Sequence, residues 1–400
     1  MGARSFRRRL CCGTLPVMAD WKKPHHAFLV PIRRGLWTFL VLSLGLLMLL
    51  SAHAPVRADQ SDSLPDSVES PAEITLALVG DLLPEASWKN EHLPIKELYA
   101  EVREELRTAD IVFGNLEEPL TTSEEPTENK NPESVRAGRD FVLKASAPDV
   151  AAGLREAGFT IVSLANNHMM DYREQGLLDT LGALRQAGVL AVGAGRRREE
   201  AHRPTVVDVK GVRVAFLAFS DVVPSNYEAA AERAGVASSK ETVDLMAAIK
   251  EARGQADLLV LSLHWGTQAT HTATERQHEL GRLAIEAGCD LVFGGHPHYL
   301  QGIELYQGKP IFYSAGNFQF PTRNHEAQES FIAMVVFRAR SAERIDLVPV
   351  LISPQGQPRI VRGSPEGDRI LEHVRDYSRV YGTRFVGRMI ERKAALPATR

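Results

Sequence analysis

The chain has 400 residues, of which 44% are hydrophobic and 24% charged, so its composition is that of a soluble globular protein with room for one large domain or two modest ones. This composition excludes a disordered, collagen-like or polytopic membrane protein. The net charge of -3 is unevenly spread, because residues 1–34 hold eight Lys/Arg and one Asp, and the rest holds 39 basic and 49 acidic residues. A nucleic-acid binder needs a basic face on its folded part, so nucleic acid is not an expected partner.

Residues 1–58 are predicted to be an export signal or a membrane anchor. An almost wholly apolar run, Leu36–Leu50, follows two arginines and precedes small residues ending in Ala54. This layout is typical of a secretory signal, and a start at Met18 would give that signal a more usual length. If residues 35–54 instead stay in the inner membrane, the segment is an uncleaved anchor. Both alternatives predict an exported, periplasmic or extracytoplasmic domain, because the positive flank stays inside.

Beyond this segment, apolar runs alternate with helix-period segments, which predicts an α/β fold with a late β-rich portion. Residues 59–72 are polar and rich in Ser, Pro and Asp, as in a flexible linker, and the main domain is predicted over 73–355 with a helical tail over 356–400. Predicted strands are Ile74–Val79, Ile111–Phe113, Phe159–Leu164, Val212–Phe219, Leu258–Leu263, Leu291–Phe293, Ile311–Ser314, Phe331–Phe337 and Arg344–Leu351. Predicted helices are Asp149–Glu156, Leu177–Gln186, Glu241–Ala252, Glu275–Ala287 and Asp368–Tyr381, and Glu117–Arg136 is predicted to be a long loop.

The cysteines exclude a disulfide framework in the exported part. Two of the three precede the apolar run, so Cys289 stands alone beyond it. It lies in an apolar stretch and is interpreted as a buried small hydrophobe.

Polar and metal-capable side chains follow the carboxyl ends of the apolar runs, where open α/β sheets place ligands. Each of them alone has an ordinary explanation as a turn former, a helix cap or a surface residue. Gathered in one crevice, they would be costly to desolvate without a cation to organise them. In chain order these residues are Asp81, Asn115, Glu117, Asn167, His168, Asp171, His264, His296 and His298.

The most specific of these patterns is the pair His296 and His298. Residues two apart in an extended or turning backbone point to the same side, and Pro297 fixes the local path. Imidazole and carboxylate together are ligands for Mn, Zn or Fe, whereas a Ca or Mg site would use oxygen alone. The sequence therefore predicts a divalent metal ion, Mn, Zn or Fe.

Six motifs in chain order resemble the CapA family of poly-γ-glutamate capsule proteins, which is similar to the calcineurin-like metallophosphoesterases. The resemblance covers about Ile74 to Leu351 and implies a four-layer α/β/β/α sandwich of the metallo-dependent phosphatase type. It also implies a role in making, exporting or anchoring a γ-linked polyglutamate or related surface polymer, with membrane proteins of polymer synthesis or export as partners. The motifs are GD (80–81), NLEEPLT (115–121), LANNHMMD (164–171), HWG (264–266), GGHPH (294–298) and YSAGNF (313–318).

The same resemblance implies roles for individual residues. His168 matches the histidine that protonates the leaving group. Our mechanistic hypothesis adds Asp171, which would orient His168, and Asn317, which would position substrate or metal ligands. Leu83 stands where the phosphoesterase pattern has a histidine ligand, so both a single ion and a pair remain open. The implied ligands are Asp81, Asn167, His264, His296 and His298, with either Asn115 or Glu117 at the bridging position.

Three functions are consistent with these residues. The first is an exported metallohydrolase acting on a phosphoester or on the polymer. The second is a non-hydrolytic component of a polymer-synthesis or export complex, and the third is a protein in which the metal is only structural. An acidic domain repels a polyanion, so the binding of phosphate or polyglutamate is expected to depend on the local cation.

Overall fold

The computed structural model of the protein describes residues 72–85, 93–138, 140–145 and 149–391. The segment interpreted as a signal or anchor and most of the linker lie outside these residues, as does the end of the tail. Among the helices that are described, none is both long and apolar enough to cross a membrane. The export or anchoring role of residues 1–58 stays a prediction.

One sheet combines parallel strands from the first half of the chain with antiparallel strands from its last third. A short strand, β13 (Asn317–Gln319), runs parallel to the end of β1 (Glu73–Leu82). Another short strand, β16 (Pro358–Ile360), pairs with β15 (Ser341–Ile352). In spatial order the main strands are β17 (Arg384–Val386), β18 (Met389–Glu391), β15 (Ser341–Ile352), β14 (Glu329–Arg338), β1 (Glu73–Leu82), β2 (Ile111–Leu116), β3 (Ile161–Ser163) and β4 (Leu190–Val192).

The second sheet has a parallel centre and an antiparallel strand at each end. Its strands, in spatial order, are β11 (Ile303–Tyr306), β12 (Lys309–Phe312), β10 (Leu291–Gly295), β9 (Leu258–His264), β7 (Val212–Ser220) and β6 (Thr205–Val209). A separate two-stranded ribbon joins β5 (Ala194–Gly195) to β8 (Gly235–Val236).

Helices connect most of the parallel strands. The helix α8 (Glu275–Ala287) begins with a reciprocal cap. The Thr274 side chain accepts a hydrogen bond from the backbone NH of Gln277, and the Gln277 side chain accepts one from the backbone NH of Thr274. The helices are α1 (Ile95–Leu98), α2 (Arg103–Leu106), α3 (Pro132–Arg136), α4 (Asp149–Ala157), α5 (Arg173–Ala187), α6 (Arg198–His202), α7 (Thr242–Arg253), α8 (Glu275–Ala287) and α9 (Pro365–Ser378).

Three apolar cores separate four layers. In the central core the two sheets pack face to face, and the rings of Phe113 from β2 and Phe216 from β7 stack with centroids 5.5 Å apart. A second core buries α4 and α5 against the first sheet, and a third buries α7 and α8 against the second sheet. Alternate residues of each buried strand pack into the two cores on its opposite faces. Both sets of residues are apolar, so these strands form continuous apolar runs in the sequence. The expected four-layer α/β/β/α sandwich is confirmed.

The tail differs from the predicted helical segment. Helix α9 is present and begins at Pro365, where the Ser364 side chain accepts a hydrogen bond from the backbone of Gly367. The tail also supplies β16, β17 and β18, which extend the first sheet from β15. These strands have three residues each, too few to give a readable alternation of apolar and polar positions.

Cys289 is expected to resist thiol reagents in the folded protein. Its side chain is fully buried in the third core, and burial raises the pKa of the thiol well above its usual value, so little thiolate forms. Peptide mapping after iodoacetamide treatment should find Cys289 unmodified in native protein and alkylated in guanidinium chloride. Rapid alkylation of native protein would contradict this burial.

Candidate metal centre

The predicted site residues meet where the carboxyl ends of the two parallel strand groups converge. In the first sheet, Asp81 of β1 is the neighbour of Asn115 on β2 and of Asn317 on β13. In the second sheet, His264 at the end of β9 is the neighbour of Gly295 on β10. Strand register alone therefore aligns two rows of polar residues at one edge of the sandwich.

Two glycines allow the backbone segments around Asp81 to approach each other closely. A Cβ atom at Gly295 would lie 2.5 Å from Asp81 Oδ1, and one at Gly80 would lie 2.0 Å from the carbonyl oxygen of Gly316. At Gly80 the obstacle is backbone, so this position requires glycine, whereas a side chain at Gly295 would displace the Asp81 carboxylate from its place in the site. The gap left at Gly295 lets the first-sheet carboxylate reach the second sheet.

Three buried residues form the centre of the site. Asp81, Glu117 and His264 each offer a ligand atom, and these atoms lie within 4.8 Å of one another. Asn115 joins them, because its Nδ2 donates to Asp81 Oδ1 at 2.8 Å and lies 3.4 Å from Glu117 Oε1. The side chains of Asn115 and Glu117, the two candidates for the bridging position, thus both lie in the centre, and Glu117 supplies the second carboxylate.

The remaining candidate ligands surround this centre. Asn167 Oδ1 lies 2.7 Å from His264 Nε2, and His296 Nδ1 lies 3.0 Å from the same nitrogen. His298 Nδ1 is 3.3 Å from Asp81 Oδ2 and 2.9 Å from Asn317 Oδ1. The structure therefore brings all seven sequence-predicted ligands together, and Asn317 contacts a ligand.

The two histidines of the HPH motif have strained backbones. Their φ angles are 95° for His296 and 59° for His298, in the positive-φ region that the backbone of residues other than glycine rarely adopts. The backbone NH of His296 donates to Asp81 Oδ2 at 3.1 Å, and the carbonyl of Pro297 accepts from Ala269, which hold the turn in place. Such strain is concentrated at functional sites, where surrounding contacts impose it.

The electrostatics of the group suit a cation. Burial, reinforced by neighbouring histidines, lowers the pKa of His264 well below its usual value and that of His296 to about 3. Burial, together with Asp81, raises the pKa of Glu117 well above its usual value. Burial opposes charging of His298, but Glu117 and Asp81 outweigh it and raise the pKa to about 9. Without a cation, burial therefore favours the protonated, uncharged form of the Glu117 carboxyl.

This donor set fits a divalent metal ion. Neutral imidazoles and buried carboxylates are the forms that bind metals, and the amide oxygen of Asn167 adds a further donor. The mixture of nitrogen and oxygen donors is that of Mn, Zn or Fe sites rather than of Ca or Mg sites.

His168 lies beside the metal-capable group and has its own charged partners. Its Nδ1 is 2.9 Å from Asp171 Oδ2 and 3.0 Å from Lys130 Nζ. One nitrogen cannot donate to the carboxylate and accept from the ammonium together, and Lys130 already bonds Asp171 Oδ1 at 2.6 Å and the carbonyl oxygen of Phe141 at 2.7 Å. We therefore assign the Nδ1 proton to the bond with Asp171, which leaves His168 Nε2 for a substrate.

Comparison with known proteins identifies the family. The chain matches the family described as "Bacterial capsule synthesis protein PGA_cap" over residues 75–322, a range that includes every site residue named above. The chain belongs to this PGA_cap family.

Curated relatives agree with this membership. The chain is 32% identical over 325 residues to the capsule biosynthesis protein CapA of Bacillus anthracis, covering 80% of this chain and 74% of the relative. It is 33% identical over 245 residues to the PGA biosynthesis protein CapA of Bacillus subtilis (61% and 62%). Among solved structures, NAD nucleotidase of Haemophilus influenzae overlaps 76% of this chain and 56% of that one, with a TM-score of 0.41 and 13% identity. The sequence relatives confirm the resemblance to CapA.

Two residues in this PGA_cap chain were not singled out from the sequence. Asn166 donates to Asn115 Oδ1 at 3.2 Å and to the carbonyl oxygen of Leu116 at 2.7 Å, and its own oxygen accepts from the backbone of His168. It thereby ties the metal-capable group to His168. Lys130, the second residue, lies in a segment whose polar composition gives no sign of burial.

Leu83 replaces a potential ligand with an apolar contact. It is fully buried and packs with Leu143 and Phe320 in a small cluster beside the site. Leu83 therefore packs in an apolar cluster and offers no ligand atom to a metal.

A cavity of about 720 Å³ opens over this edge of the PGA_cap domain. This volume lies within the usual range of about 300 to 1,000 Å³ for small-ligand sites. Glu117, His168 and His298 line it from the site, and Phe141, Tyr299 and Phe320 are among its other walls. The metal-capable group and His168 thus face one space that a substrate can enter.

Proposed function

We propose that this chain is an exported CapA-like protein that acts in the synthesis, export or anchoring of poly-γ-glutamate or a related surface polymer through a metal-dependent hydrolytic site. The observation that carries the proposal is the juxtaposition, at one cavity, of the buried group Asp81, Glu117 and His264 with His168. Its relatives are named as capsule or polyglutamate biosynthesis proteins, which supports the choice of polymer.

In this proposal Asp81, Glu117, Asn167 and the three histidines hold the metal, with Asn115 between the carboxylates. A divalent cation held there supplies Lewis acidity and makes water more acidic. His168 exchanges a proton at Nε2 with the leaving group, while Asp171 fixes the tautomer at Nδ1. Asn317 orients His298 through the 2.9 Å contact and donates its Nδ2 to the carbonyl oxygen of Ala327.

A second candidate function is that of a metal-binding subunit without catalysis in a membrane-associated polymer assembly complex. Leu83 favours this candidate, because it removes one potential ligand and leaves fewer donors for a second ion. The relatives' names describe biosynthesis rather than hydrolysis, which is compatible with either candidate.

Metal content and hydrolysis separate these candidates. We expect the full-length protein, equilibrated with Mn or Zn and desalted, to retain metal by mass spectrometry, and Asp81→Asn to lose most of it. Asp208→Asn, at an exposed position on β6, is the matched control and should retain metal. Metal-free wild-type protein would contradict the whole proposal.

The hydrolysis assay uses poly-γ-glutamate and a chromogenic phosphodiester in parallel. Release of new amino groups or of the chromophore by metal-loaded wild-type protein, and not by Asp81→Asn, is the expected result. Metal retention with no turnover of either compound would favour the non-catalytic subunit.

A further inference from the structure

A second cavity adjoins the first on the side away from the metal-capable group. Its volume is about 440 Å³, and it shares Arg323 and Pro354 with the cavity over the site. None of the candidate metal ligands lines it. The two cavities therefore adjoin at Arg323 and Pro354, and the second cavity is here called the outer groove.

The outer groove is lined by more positive than negative charge. Arg323 and Arg359 are exposed there, and Glu101 is the acidic residue among its lining residues. Within the described ranges, neither arginine side chain makes an ion pair within 4 Å or a hydrogen bond. Glu366 is the nearby acidic group: hydrogen bonds from its own backbone and from Ser364 lower its pKa most, and Arg359 contributes without contacting it. Many other arginines in this part of the chain are paired, for example Arg173 with Glu128 and Arg213 with Asp257. Two unpaired guanidinium groups at one groove are available for an anionic ligand.

We propose that the outer groove is a subsite for an extended chain of carboxylates, which Arg323 and Arg359 bind while another part of the same chain lies over the metal-capable group. The inference rests on the proposed function, because it assigns a binding path to that site's polymer. A planar guanidinium matches a carboxylate in charge and in hydrogen-bond geometry.

A chain of carboxylates fits this groove better than a small monoanion does. A single acidic unit would be held at the metal-capable group and would not need a second cavity beyond Arg323. A γ-linked glutamate chain repeats a carboxylate, a short methylene segment and an amide. This matches the arrangement of the cavities, in which Phe320 and Tyr299 line the first and the two arginines line the second. His325 also lines the second cavity and can donate hydrogen bonds to the same ligand.

The arginines of the outer groove locally offset the net negative charge of the domain. Residues beyond position 34 carry ten more acidic than basic groups, so the overall field repels a polyanion. Unpaired arginines within about a Debye length of the ligand, about 8 Å at physiological salt, can offset that repulsion locally. Binding is therefore expected to weaken as salt is raised.

Binding assays in chelator test the proposal without any turnover. The probe is a fluorescent γ-linked glutamate oligomer long enough to span both cavities, and its affinity is read by anisotropy. We expect the double variant Arg323→Ala/Arg359→Ala to bind it about tenfold or more weakly than wild type, since each lost contact is a charge-assisted hydrogen bond. Arg344→Ala, an exposed arginine on β15 that lines neither cavity, should bind within about twofold of wild type.

A γ-linked glutamine oligomer of the same length is the neutral control, and it should bind weakly to both wild type and the double variant. Equal affinity of wild type and the double variant for the glutamate oligomer would overturn the proposal. The proposal would also be overturned if the double variant lost affinity for a glycerol-phosphate oligomer but not for the glutamate oligomer, since the groove would then bind phosphodiesters. The binding assay contains no metal and measures no turnover. A protein that fails to hydrolyse either compound would therefore contradict the proposed function without changing the binding result for the outer groove.

Discussion

Replacing His168 by glutamine is expected to lower kcat of the metal-loaded protein by about 10²- to 10⁴-fold, the usual contribution of a positioned general acid or base. The reason is that Nε2 is the ring nitrogen left for substrate once Nδ1 is bound to Asp171. Metal content should stay at the wild-type level, because His168 lies beside the ligands and is not one of them. Steady-state hydrolysis with a parallel metal measurement checks both expectations.

His202→Gln is the matched control for this experiment, since His202 lies on α6, where its ring packs against Phe219. Its kcat should stay near the wild-type value. If His168→Gln hydrolyses substrate as fast as this control does, proton transfer does not depend on His168 and the assignment is wrong.

Replacing Lys130 by methionine is expected to cost about 3–5 kcal/mol of unfolding free energy. Lys130 is almost completely buried and pairs at 2.6 Å with Asp171, which is itself fully buried. The substitution leaves the Asp171 carboxylate with His168, Tyr227 and the backbone of Leu143 as hydrogen-bond partners but without its cation. Urea unfolding of metal-free wild-type and variant protein measures the difference.

Two variants control for the loss of a lysine and for the loss of the pair. Lys144→Met removes a lysine whose partner, Glu124, is largely exposed, and should cost no more than about 1 kcal/mol. Lys130→Met combined with Asp171→Asn removes both charges and should recover part of the lost stability. A cost for Lys130→Met as small as that of Lys144→Met would show that the buried pair contributes little.

The site residues that could be predicted from the sequence are those that stand at the carboxyl ends of strands. Asp81 and His264 stand at the carboxyl ends of buried strands, and His296 directly follows one. Because ligands bind at the carboxyl ends of parallel strands, their grouping could be inferred without coordinates. The apolar runs also predicted an α/β fold, since strands buried on both faces give uninterrupted apolar stretches, whereas the four-layer arrangement was implied only by the resemblance to the CapA family.

Residues brought in by irregular segments could not be predicted in this way. Lys130 belongs to a polar stretch that reads as a solvated loop, and its burial depends on how that loop covers Asp171. Arg323 and Arg359 come from different segments, and only the folded chain places both on one groove. The positive φ angle of His296 arises from long-range contacts with Asp81, which no local pattern encodes.

The position of β1 has a consequence for how the protein is made. Its neighbours β13 and β14 lie more than two hundred residues later in the chain, and β14 begins at Glu329, beyond the end of the matched family region at 322. A nascent chain that has emerged only as far as that point exposes one edge of β1, which is open to pairing with other chains. The sheet around Asp81 therefore cannot be completed during translation until β13 and β14, more than two hundred residues later in the chain, have been synthesised.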